Sequence, residues 1–165
     1  MIAESILPEF DHEFAQLRRV LERVPEGKGE FAPHEKSMPM ARLAGHLAEL
    51  PDWTGVTILT DEMDFAVADY TPYIMESRED LLKRFDDSLA KAREVLANAS
   101  DEQLMGTWTM RQGEQVYFAL PKVAVLRSFV LNHMIHHRAQ LGVYLRMNDV
   151  PLPGMYGPSA DDPGM

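Results

Sequence analysis

Apolar residues return at alternating steps of three and four along four separate stretches of this chain, a spacing that draws a continuous stripe down one face of a helix. Leu7, Phe10, Phe14, Leu17, Leu21 and Val24 form the first stripe, where Pro8 suits only a first turn. The stretch from Pro25 to Lys36, carrying Gly27, Gly29 and Pro33, ends that helix, and Ser37 follows as the expected N-cap with Pro39 just inside the next. The second stripe runs through Leu43, His46, Leu47 and Leu50. Pro51 falls inside its continuation through Trp53, Val56, Thr57 and Ile58, which predicts a kink or a break. The acidic segment Asp61 to Pro72 reads as an irregular crossover.

Ser77-Arg78-Glu79-Asp80 resembles a capping box with Asp in place of Glu, and it opens a third stripe of Leu81, Leu82, Phe85, Leu89, Ala92 and Leu96. Between Thr107 and Phe118 the pattern changes around Gly113 and predicts a short two-stranded excursion. Pro121 suits the first turn of a last helix, whose stripe of Leu126, Val130, His133, His137, Leu141 and Tyr144 continues until Asn148 and Pro151. The expected fold class is all-α. A four-helix bundle occupies residues 1–150, with a short β-like excursion before the last helix, and a Pro/Gly-rich C-terminal tail, 151–165, packs on the bundle or extends from it. Met155 and Tyr156 favour packing.

Composition narrows the chemistry. With no cysteine, this chain can supply neither a disulfide scaffold, a Cys-ligated zinc site, an iron–sulfur cluster nor a thiol nucleophile. Sixteen Lys and Arg against 26 Asp and Glu leave a net charge of −10, so the average surface repels a phosphate backbone or an anionic membrane. No nucleic-acid partner and no membrane are expected. Met1 to Ser5 lack a basic leader, and no apolar run approaches the roughly 18 residues of a bilayer span, so a cytoplasmic location is expected. Nothing resembles a phosphate-cradling Gly-rich loop, a nucleotide fingerprint or a serine nucleophile elbow. Histidine and carboxylate remain for chemistry.

His133 and His137 lie one turn apart, separated by roughly 40° around the axis, so both imidazoles can converge on one point. His46 shares an apolar face with Leu43, Leu47 and Leu50, and it too projects toward the bundle interior. Buried imidazoles need partners for their ring nitrogens, and neighbouring ones disfavour each other's protonation while inviting a shared cation. Three inward histidines from two helices can therefore make one open metal site, as facing helices do in bundles. The other reading is three core histidines with their hydrogen bonds satisfied within the protein. His136 turns about 100° away, toward the flank. His12 and His34 read as surface residues.

These residues also carry a family resemblance. His46 within Leu43-Ala44-Gly45-His46-Leu47-Ala48-Glu49-Leu50, the run Asn132-His133-Met134-Ile135-His136-His137-Arg138-Ala139-Gln140-Leu141, and the tail from Val150 to Asp161 together resemble the DinB/YfiT-like superfamily of small helical proteins, in order and over nearly the whole chain. The resemblance implies a bundle of up-down-down-up connectivity, commonly a homodimer, holding a divalent metal on His46, His133 and His137. It also implies an enzyme acting on a small molecule, either a metal-dependent hydrolase or a transferase using a low-molecular-weight thiol. An all-imidazole set suits zinc, nickel, copper or iron. Zinc or nickel is expected, nickel chiefly on the resemblance.

Other residues have two readings each. Glu49 and Asp52 could orient a ligand imidazole or take a proton, although solvated surface carboxylates are the commoner case. Arg138 could anchor an anionic substrate or a neighbouring chain's carboxylate, or form a surface ion pair. Trp53, Tyr73 and Trp108 could line a pocket mouth or sit in the core. Tyr144 could donate a hydrogen bond to a ligand on the metal, and Met134 fills core beside the site.

Overall fold

The first stripe folds as α1, Ile2–Leu21, in the computed structural model of the protein, which describes residues 1–163. Phe10, Phe14 and Leu17 are buried on its inner face. α1 begins a full turn before the stripe, so Pro8 lies inside the helix and not in its first turn. Burial of Ala3 and Ile6 ahead of the proline, and a 2.7 Å bond from Ile2 N–H to Asp101 Oδ1, offset the backbone bond that Pro8 removes.

The second helix starts at Met40, with Pro39 and not Ser37 at the N-cap. Its first amides need no side-chain cap. Met40 N–H donates to the Phe31 carbonyl at 2.8 Å and Ala41 N–H to that of Gly29 at 2.9 Å, so the preceding loop satisfies them. Pro51 interrupts the rod as expected: α2 is Met40–Glu49 and α3 is Asp52–Leu59. Gly45 is required by a close approach, because a methyl there would lie 2.4 Å from the Tyr73 carbonyl oxygen.

Helix α4, Arg78–Ala97, opens on Ser77, whose Oγ accepts from Asp80 N–H at 3.1 Å. Only half of the predicted capping box forms. The Asp80 carboxylate, one methylene shorter than Glu, accepts instead from the Tyr73 hydroxyl at 2.6 Å. A short α5, Asp101–Met105, has the complete box, with Ser100 and Gln103 exchanging bonds.

The two-stranded excursion is part of a three-stranded sheet. β1, Glu62–Asp64, lies within the segment read as irregular and pairs parallel with β2, Thr107–Gln112, which pairs antiparallel with β3, Gln115–Pro121. Gly113 supplies the positive φ, 59°, at the first central position of the two-residue turn. The last rod comprises α6, Lys122–Val125, a π-helical segment, Leu126–Asn132, and α7, His133–Met147. The fold is mostly helical, but the broken second rod, α5 and the sheet mean that it is not a clean four-helix bundle.

Cross-pairs give the directions of the long rods. Arg18 with Asp86 and Arg93 with Asp11 set α1 and α4 antiparallel, while Arg127 with Glu9 and Arg138 with Glu13 set the last rod parallel to α1. Tyr144 with Met38, and His133 with His46, set α2 against α7. The rods therefore run up, down, down, up. No helix among the described residues is long and apolar enough to cross a membrane.

The tail runs over α1 and α7, with Met155 packed against the core and Tyr156 exposed but turning its hydroxyl inward; residues 164 and 165 lie outside the described residues. Arg19 donates to the Gly154 carbonyl at 2.9 Å and to Asp162 Oδ2 at 2.7 Å. Beneath it, Arg138 Nη2 meets Glu13 Oε2 at 2.8 Å and the Tyr156 hydroxyl at 2.6 Å, and Tyr156 in turn donates to Glu13 at 2.7 Å. Arg138 and Glu13 are both buried, so the predicted surface pair or substrate anchor is an internal clamp between α1, α7 and the tail. Breaking it strands a charge. Arg138→Met is expected to cost about 3 kcal/mol in denaturant unfolding, and the Glu13→Leu/Arg138→Met pair distinctly less.

Candidate metal centre

Three half-buried imidazoles meet where α2 crosses the start of α7. His46 Nε2 and His133 Nε2 are 3.4 Å apart, and one nitrogen from each of His46, His133 and His137 lies within 4.8 Å of the others. Ring centroids are 5.1, 4.9 and 4.6 Å apart for the three pairs. Two nitrogens on one tetrahedral ion, with bonds of about 2.0–2.1 Å, are separated by roughly 3.3 Å, so the closest pair already has the necessary spacing. The donor set fits a divalent ion.

Hydrogen bonds decide which nitrogens face inward. A carbonyl oxygen only accepts, so the 3.2 Å contact between His133 Nδ1 and the Phe129 carbonyl places a proton on Nδ1 and leaves Nε2 bare. Where the π-helical segment ends, the His133 N–H bonds to the Val130 carbonyl, while the His133 ring takes the Phe129 carbonyl. His137 Nδ1 likewise donates to Gln140 Oε1 at 2.8 Å. Gln140 is held by donating to the Tyr144 hydroxyl at 3.4 Å, and Tyr144 donates to the Met38 carbonyl at 3.1 Å. His46 differs: its Nδ1 is buried without a partner among the described residues, and its 3.4 Å contact with the bare His133 Nε2 places its own proton on Nε2 in the metal-free protein.

All three rings hold protons weakly. Burial is the largest cause for His46, which is held down to about 3, with the charges of His133, His137 and Arg42 adding to it. Burial also lowers His133 and His137, against opposing hydrogen bonds from the Phe129 carbonyl and Gln140 respectively. Neutral imidazole is the form that binds metals.

The remaining expectations divide. His136 is exposed on the flank, its ring edge-on to His137 at 4.8 Å, and His12 and His34 are exposed. Met134 is core. Glu49 is buried and not solvated, its Oε1 3.4 Å from Arg42 Nη1. Burial pushes its carboxyl up, opposed by the Tyr73 backbone and by the charges of Arg42 and Arg84. Asp52 pairs with Arg84 at 2.6 Å. Among the described residues, no hydrogen bond joins either carboxylate to the three rings. Tyr144 serves Gln140 and the α2 entry, and does not reach into the cluster. Trp108 is fully buried, donating to Thr60 at 3.1 Å, whereas Trp53 lines a cavity of about 220 Å³ beside the cluster. Tyr73 is bound to Asp80. Neither Gln140 nor the Phe129 carbonyl stands out in the sequence as a tautomer-setting partner; the position of Gln140 three residues after His137 is the signal available there.

The architecture and this cluster together define a helical protein with three histidines that could hold a metal ion. A family model described as the DinB superfamily matches residues 9–141, and the chain belongs to that superfamily. It is similar in fold to a DinB-like protein from Bacillus cereus ATCC 10987, at 20% identity and a TM-score of 0.71, covering 93% of this chain and 97% of the other. A second DinB-like protein, YjoA from Bacillus subtilis, gives 18% identity and a TM-score of 0.67, covering 88% and 92%. No curated protein matches the chain.

The lowered histidines give metal-free protein a distinctive acid response. The unfolded chain takes up protons near the ordinary value of 6.5 while the folded rings resist, so stability is full above about 6.5 and falls as pH drops toward the folded values. Between about 6.5 and 5 ordinary carboxylates stay largely ionised, and the raised Glu49 carboxyl acts with the opposite sign, gaining stability as pH falls, so the loss belongs to histidine. Denaturant midpoints of chelator-treated protein should decline across that window, with a shallower slope in His46→Gln. A flat profile in the unmodified protein contradicts the burial of the rings.

Proposed function

We propose that His46, His133 and His137 bind one divalent ion, zinc or nickel, and that the protein is a metal-dependent enzyme acting on a small molecule. The observation that carries this reading is the convergence of imidazole nitrogens, two with their protons committed elsewhere, at a spacing of 3.4 Å for the closest pair. The ion would supply a Lewis acid that makes a small nucleophile competent at neutral pH. That nucleophile is water in a hydrolase or a low-molecular-weight thiol in an S-transferase, the two reaction classes proposed here.

The chain's own residues would do three things. The rings of His133 and His137 are aimed by Phe129 and Gln140, which keeps their lone pairs inward. Three neutral ligands leave the positive charge of the ion undiminished, favouring an anionic nucleophile. Phe129, its ring 5.4 Å from that of His133 and 5.3 Å from that of Trp53, forms an apolar wall that limits water on that side. Imidazole donors suit zinc and nickel alike.

Untagged protein purified without chelator is expected to carry about one equivalent of zinc or nickel by elemental analysis, and His133→Ala to lose it. Gln140→Ala, which frees the His137 ring, should weaken binding roughly 10–100-fold in a competitive chelator titration. Protein that takes up no metal under any loading condition contradicts the proposal. Bound metal with no turnover on ester and thiol–electrophile panels would leave a non-catalytic binding protein.

A further inference from the structure

Arg42 stands one turn before His46 and two turns before Glu49 on α2, the three within about 60° of one another around the axis. Its guanidinium reaches Glu49, with Nη1 3.4 Å from Oε1, so the arginine side chain lies along the helix face that carries His46. Burial is the largest cause of the lowered His46 and His137, and the charge of Arg42 adds to both. Glu49 neutralises that charge incompletely. The contact is long for a guanidinium–carboxylate pair, the Tyr73 backbone and the Tyr70 side chain share the same carboxylate, and burial pushes Glu49 toward its neutral form. Arg84, by comparison, is held by Asp52 at 2.6 Å. Tyr70 accepts from Arg42 as well, but a guanidinium has five N–H groups, and this side chain is 22% exposed and open to a further acceptor.

A positive charge beside three neutral rings repels the cation those rings would hold. The arrangement becomes favourable when an anion arrives with the ion, because one negative group then answers both charges. We propose that Arg42 is a specificity-determining residue that binds a carboxylate of the small-molecule ligand beside His46, so that metal and organic acid bind cooperatively. The planar fork of the guanidinium matches a carboxylate. With Glu49 alongside, the local positive excess does not exceed one charge, which suits a monoanion. This role deepens the metal-dependent reading and rests on it, narrowing the small molecule to a carboxylic acid. The contact between Arg42 and the acid itself needs no ion.

The test measures zinc affinity of the full chain against the carboxylate-free dye pyridylazoresorcinol, first without ligand and then with phenylacetate or its uncharged counterpart phenylacetamide. Phenylacetate should tighten zinc binding by the unmodified protein about tenfold, and phenylacetamide should leave it unchanged. Arg42→Gln, freed of the repulsion, should bind zinc roughly threefold or more tightly without ligand and gain less than about twofold from phenylacetate. Arg42→Lys keeps the charge without the fork, and should bind zinc as the unmodified protein does with a smaller gain. A gain that survives in full in Arg42→Gln shows that the acid needs the ion alone, and overturns the role of Arg42. In a second arm, phenylacetate is added to metal-free protein while the His46 and His137 ring signals are followed by NMR. They should move in the unmodified protein and not in Arg42→Gln. Such movement in a protein that takes up no zinc would defeat the metal reading and leave Arg42 as the carboxylate site, whereas zinc binding indifferent to phenylacetate would overturn that site and leave the metal reading standing.

Discussion

Two hydrogen bonds from imidazole N–H groups set the character of the whole site. His133 gives its Nδ1 proton to the Phe129 carbonyl and His137 gives its own to Gln140, and both rings therefore turn a bare nitrogen toward His46. Had either proton stood on Nε2, an N–H would face the cluster and repel a cation. Burial reinforces the arrangement, because each ring holds its second proton weakly and remains a neutral donor at ordinary pH. His46 has no such bond on Nδ1, and its 3.4 Å contact with the bare His133 nitrogen is where its proton bridges in the metal-free protein and where an ion would take the proton's place.

The scaffold is built around holding those rings still. The π-helical segment ends just before His133, whose amide bonds to the Val130 carbonyl while its ring bonds to that of Phe129. One residue beyond His137, Arg138 is clamped by Glu13 and Tyr156, which fixes the rotation of α7 against α1 and ties down the tail. On the facing side, Gly45 admits the Tyr73 backbone against α2 next to His46. Each device sits within one residue of a histidine of the cluster, so packing that looks remote from the chemistry governs its geometry.

Much of this was legible in the sequence, for identifiable reasons. The His133–His137 spacing within an apolar stripe and the place of His46 among Leu43, Leu47 and Leu50 are helix-period signals, and local periodicity is what a sequence states most directly. The break at Pro51 and the Ser77 cap follow from single-residue backbone chemistry. What was hidden depends on distant partners. The burial of Glu49 and the Arg138–Glu13 pair arise from tertiary packing, and the pairing of β1 with β2 joins residues 62–64 to 109–111, which no local pattern encodes. Pro8 and Ser37 misled because long-range bonds to Asp101 and from the loop at Gly29 to Phe31 replaced the local rules. The π segment left no trace in the stripe.

Long-range nitrogen–proton correlation spectra of the histidine rings during a zinc titration test the central idea most directly. In metal-free protein, His133 and His137 should appear as neutral rings protonated at Nδ1. On addition of zinc, the Nε2 resonances of His46, His133 and His137 should move together and stop at about one equivalent, while His12, His34 and His136 stay in place. Rings of the opposite tautomer, or a titration that moves only the surface histidines, would contradict the account.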